Sequence, residues 1–63
     1  MHVVQETATI KIEVYEPGED LTDEAALKCA DAWLRENRKN NHWDHYDIER
    51  KNYNRVIVHF GGL

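Results

Sequence analysis

The chain has 63 residues, of which 41% are hydrophobic and 32% charged, with a formal net charge of −4 and one cysteine. A domain this short buries only about 60% of the surface its unfolded chain exposes, which leaves one small core and little room for a cavity of roughly 300 Å³. Cys29, being alone, excludes an internal disulfide and a cysteine-built zinc site within one chain, and a cytosolic, reducing compartment is the expectation.

From Thr7 to Tyr15 the chain alternates, with Ala8, Ile10, Ile12 and Val14 on one side and Thr7, Thr9, Lys11, Glu13 and Tyr15 on the other. That is the period of a half-buried strand with one wet face. Glu16-Pro17-Gly18-Glu19 stops it, because proline cannot donate to a sheet ladder and a Pro-Gly pair suits a tight turn.

Leu21-Thr22-Asp23-Glu24 then reads as a helix start, with Thr22 as the cap and carboxylates in the first turn. Beyond it Ala26, Leu27, Ala30, Trp33 and Leu34 fall on one stripe, opposite Glu24, Lys28, Asp31, Arg35 and Lys39. Glu24 with Lys28, and Asp31 with Arg35, stand four apart with the acid first, the stabilising order on a helix. Tyr46–Lys51 is read as a second strand, Asn52-Tyr53-Asn54 as a turn, and Arg55–Phe60 as a central third strand. The expected architecture is a single α+β domain over residues 1–63. It is β-α-β-β, a three-stranded antiparallel sheet in the order 1-3-2 with one helix on one face.

The stretch Asn40 to Asp47, NNHWDHYD, raises three readings. His42 and His45 with Asp44 or Asp47 are nitrogen and oxygen donors of the kind zinc or nickel accepts, but in an extended run the two histidines point to opposite faces. Trp43 and Tyr46 are residue types that anchor interfaces. A polar connection with Trp43 tucked onto the sheet edge is the third reading. Catalysis finds no foothold: Cys29 lies two turns into the helix, away from the helix start that would activate a thiol, and no spacing singles out an acid–base pair. No cofactor is expected.

Charge is segregated along the chain. Residues 1–31 hold eight acids against two bases, and residues 32–63 hold four acids against six bases. Glu13, Glu16, Glu19, Asp20, Asp23 and Glu24 form a run with no base among them. Helix-dipole complementarity accounts for Asp23, Glu24 and arguably Asp20, and leaves Glu13, Glu16 and Glu19 unexplained. A row of carboxylates can occupy a lysine- and arginine-lined groove in place of phosphates, so these six, with Trp43 and Tyr46 as an apolar anchor, are the expected contacts to a basic protein partner. Direct nucleic-acid binding is the alternative, through Arg35, Arg38, Lys39, Arg50, Lys51 and Arg55 with Trp43 or Tyr53 stacking, and the net acidity opposes it.

No apolar run approaches the roughly 20 residues of a membrane span, and Met1–Glu6 lacks the basic start and apolar core of a signal peptide. The ending Gly61-Gly62-Leu63 invites comparison with ubiquitin-like modifiers, but those open with a hairpin, and Val3–Tyr15 contains no turn glycine or proline; a strand stop is the simpler reading. The helix segment Leu21–Leu34, set between one alternating strand and a terminal hairpin, resembles the plan of many very small, acidic, disulfide-free phage-encoded proteins, among them inhibitors of host RNA polymerase and anti-CRISPR proteins. The resemblance is one of architecture, size and charge. It implies a monomeric or homodimeric inhibitor in the host cytosol that blocks a nucleic-acid-handling complex without catalysis.

Overall fold

The computed structural model describes residues 2–6, 10–39 and 42–62. The elements are β1 (His2–Glu6), β2 (Lys11–Tyr15), α1 (Asp23–Asn37), β3 (His45–Asn52) and β4 (Arg55–Gly61). They form an antiparallel sheet in the order β1-β2-β4-β3. The three expected strands are β2, β3 and β4, and they take the expected 1-3-2 order with the helix on one face.

One strand was not foreseen. β1 adds to the free edge of β2, pairing Val3 with Val14 and Glu6 with Ile12 around an irregularity between Val3 and Gln5. The reading of Thr7–Tyr15 as one strand is corrected: β2 begins at Lys11, and Ile10 before it has φ 58°, a left-handed conformation rare for a β-branched residue. Of the rest of that run, Thr7, Ala8 and Thr9 lie outside the described residues. The chain therefore makes its opening hairpin without glycine or proline, so the absence of turn residues was no argument against one. Gly61 nevertheless closes β4 opposite His45, with its carbonyl accepting from the Asp44 N–H at 3.0 Å.

The helix forms where its cap and stripe direct. Thr22 keeps extended backbone angles and its hydroxyl accepts the Ala25 N–H at 3.1 Å, satisfying one of the donors a helix start leaves open. Ala26, Ala30 and Leu34, one turn apart, are fully buried against the sheet. The two alanines let the helix axis sit close to the strands, and Leu34 fills the space with Ile12, Val14, Val56 and Val58, all fully buried. Leu21 and Phe60 close the ends of this core, while Leu27, Trp33 and Ile48 pack half-buried around it. At the far end the Arg38 N–H donates to the Leu34 carbonyl, and Lys39 at φ 54° turns the chain out of the helix.

The helix lies over β1, β2 and β4, so β3 projects beyond it as a long edge strand. Seven of the eight β3 residues are exposed, Ile48 being the exception. The opposite face of the sheet is solvated and carries Lys11, Glu13 and Tyr15 on β2 and Arg55, Ile57 and His59 on β4.

With one layer of side chains for a core, each buried leucine carries a large share of the stability. Leu34→Ala should cost about 2–5 kcal/mol, comparable with the whole stability of a domain this size, so urea denaturation should find that variant largely unfolded at 25 °C.

Candidate functional site

Two turns meet at one end of the sheet. The β2–α1 turn holds Glu16 through Asp20, with Gly18 at φ 74° supplying the left-handed position that its bend requires. The β3–β4 turn holds Asn52 to Asn54. Backbone bonds join them: the Glu16 N–H donates to the Asn54 carbonyl at 2.9 Å and the Leu21 N–H to the Tyr53 carbonyl at 2.8 Å.

Arg50 locks this junction. One guanidinium nitrogen donates to the Asn52 carbonyl at 2.9 Å and the Tyr53 carbonyl at 3.4 Å. The other donates to the Leu21 carbonyl at 2.6 Å and to the Asp23 carboxylate at 2.7 Å. A planar fork can serve four acceptors on two turns at once, which an ammonium cannot. Tyr53 is 58% exposed beside the acidic turn.

The six carboxylates expected to act as one anionic surface divide into two kinds. Glu13 points onto the open face of the sheet, where Arg55 donates to it at 2.9 Å while its guanidinium stacks 4.7 Å over the Tyr15 ring. Asp23 is neutralised by Arg50, and Glu24 pairs with Lys28 at 3.2 Å. Cations of this chain already face these three carboxylates. Glu19 and Asp20 are exposed and their side chains form no ion pair among the described residues; Glu16 is half-buried at the start of the turn.

Trp43 and Tyr46 do not join that surface. The Trp43 indole N–H donates to Asp31 at 2.9 Å, and its ring lies 5.3 Å from Phe60 and edge-on to Tyr46 at 5.5 Å. This cluster sits at the Phe60 end of β4, whereas the two turns sit at the Arg55 end, about 17 Å away at roughly 3.4 Å per strand residue. Trp43 is chiefly a structural strut between helix and sheet, and Tyr46, 47% exposed, is the accessible part.

Asn40 and Asn41 lie outside the described residues. His45 contacts the neighbouring Asp44 carboxylate, and among the described residues no three histidine, cysteine, aspartate or glutamate side chains are grouped closely enough to hold a metal. Of the bases assigned to nucleic-acid contact, Arg35 pairs with Asp31, Arg50 with Asp23, Lys51 with Glu49 and Arg55 with Glu13. Burial pushes the Cys29 thiol up from its ordinary range, which favours its protonated form.

Sequence reasoning identified Tyr53 as a turn residue without connecting it to the acidic turn. The connection is a pair of long-range backbone bonds and one arginine, and none of these has a local signature. No family model matches the chain, and neither a curated protein nor a solved structure matches it. Among the described residues no helix is long and apolar enough to cross a membrane.

Two measurements check this geometry. Arg50→Ala should lose about 2–3 kcal/mol in urea denaturation and speed amide exchange at Leu21, and Arg50→Lys should recover less than half of that. On the open face, hydrogen bonds from Lys51 and then His59 hold the Glu49 carboxyl below its usual range. A lowered carboxylate pKa contributes stability that is present above the unfolded value and lost as pH falls through the folded one. Lys51→Ala should therefore raise the Glu49 titration midpoint in an NMR pH series and flatten the acid limb of the stability profile.

Proposed function

We propose that the chain is a small non-enzymatic binding protein that inhibits a nucleic-acid-handling complex, as anti-CRISPR proteins and related phage-encoded inhibitors do, by setting its acidic end into a basic groove of the partner. The observation that carries this reading is the pair Glu19 and Asp20: both are exposed, neither is matched by a cation among the described residues, and both stand on a turn fastened at each end. Carboxylates so placed can take the positions of phosphates along a lysine- and arginine-lined groove. A turn already fixed by Arg50 has little conformational freedom left to lose on binding. Tyr53, exposed at the same end, offers the aromatic anchor such a contact needs. The net charge of −4 would steer the encounter with a basic surface.

The contacts narrow accordingly from the original eight to Glu16, Glu19, Asp20 and Tyr53. Glu13, Asp23 and Glu24 serve by holding the scaffold in place, and Trp43 and Tyr46 belong to the other end.

The test compares the native chain with Glu19→Ser/Asp20→Ser as bait for capture from a bacterial lysate at low and high salt, with mass-spectrometric identification of what is retained. A basic nucleic-acid-handling protein should be captured by the native chain, released at about 0.5 M salt, and bound about tenfold more weakly by the double variant, whose melting temperature should be unchanged. Equal retention by the two baits, or tight binding of bare DNA or RNA by the chain alone in a fluorescence titration, would overturn the reading.

A further inference from the structure

The outer edge of β3 is an independent surface, and its hydrogen-bonding polarity can be worked out from the ladder. The Phe60 N–H donates to the Ile10 carbonyl, on the β2 side. Alternation along β4 then directs the polar groups of Val56, Val58 and Phe60 toward β2, and those of Ile57 and His59 toward β3. Asp47 and Glu49, paired with His59 and Ile57, turn their backbone groups inward to β4. Tyr46, Ile48 and Arg50 therefore turn theirs outward. The Asp47 carboxylate confirms the assignment, since it accepts the Ile48 N–H at 3.0 Å, a donor that a β4 carbonyl would otherwise hold.

We infer that this edge accepts an extended segment of a partner protein as a fifth, antiparallel strand, with basic side chains at alternate positions. The side chains specify the occupant. On the open face of the sheet the edge presents Asp47, exposed and without an ion pair among the described residues, as the chief anionic contact, and beside it Glu49, whose two oxygens already meet Lys51 at 2.8 Å and His59 at 3.0 Å. On the helix side it presents Tyr46, Ile48 and the stem of Arg50, on the part of β3 that the helix leaves uncovered. An incoming strand would place its basic residues opposite Asp47 and Glu49, in the non-hydrogen-bonded pairs where cross-strand side chains approach most closely, and apolar residues opposite Tyr46 and Ile48. A second copy of the chain fits poorly. In the antiparallel registers centred on residue 47, 48 or 49, Asp47 or Glu49 would face another carboxylate, and the register centred on 50 would set Arg50 against Arg50. The inference does not depend on the acidic end, which lies on different residues.

The probe is an eight-residue peptide of alternating lysine and valine with blocked termini, titrated into the full chain and followed by NMR shifts and amide exchange. The Ile48 and Arg50 amides should become protected. Methylating the valine nitrogens, which would point at β3, should abolish binding, whereas methylating the lysine nitrogens, which would point away, should leave it intact. Asp47→Lys should weaken the lysine peptide about fivefold and strengthen a glutamate–valine counterpart. Glu19→Ser/Asp20→Ser should change neither, so failure here is separate from failure of the acidic end. Absence of Ile48 protection at millimolar peptide, equal loss with both methylated peptides, indifference to peptide charge, or self-association that protects Ile48 without peptide would each overturn the inference.

Discussion

The guanidinium of Arg50 is the constraint on which the acidic end of this molecule depends. It leaves the helix-facing side of β3 near the end of the strand and closes on carbonyls of two separate turns and on the first carboxylate of the helix. Beside it, two backbone bonds tie the β2–α1 turn to the β3–β4 turn. Because the helix start, the acidic turn and the exposed tyrosine all meet this one group, the positions of Thr22, Glu19 and Tyr53 are set together. A charge with several acceptors and partial exposure costs less to desolvate than a buried ion pair, so the junction gains rigidity at a modest penalty.

The same economy governs the charges elsewhere. A chain that is acidic in its first half and basic in its second folds so that the two halves meet: Glu13 finds Arg55 and Asp23 finds Arg50 across the sheet, over separations of 42 and 27 residues. The segregation seen along the sequence is therefore partly cancelled in space. Among the described residues, exposed carboxylates without an ion pair remain at the outer turn, Glu19 and Asp20, on the helix at Glu36 and on the edge at Asp47. Surface pairs of this kind contribute little stability each, so their main effect is to decide which carboxylates stay available.

The helix and the three main strands were legible because each has a local cause. Thr22 caps, Ala26, Ala30 and Leu34 repeat at helical spacing, and Val56, Val58 and Phe60 alternate. β1 was not legible, since the reversal before β2 uses Ile10 in a conformation normally left to glycine, and no propensity announces that. The site was legible only as a list of acids. Which of them remain free follows from register: Glu13 lies opposite Ile57, two residues from the Tyr15–Arg55 pair and on the same face, so Arg55 reaches it diagonally, and a one-residue slip would have freed it. Trp43 was rightly placed against the sheet edge, but its bond to Asp31 joins residues twelve apart through the helix terminus and had no pattern to reveal it.

The order of strands has a consequence for biosynthesis. β4, the last element in chain order, is the strand that joins β3 to β2, and it supplies Val56, Val58 and Phe60 to the only core. A nascent chain that has emerged only as far as β3 holds a helix and three strands with nothing to bury them against. The core can close only once residues 55–61 are available to join the two sides of the sheet, and it then does so in a single step.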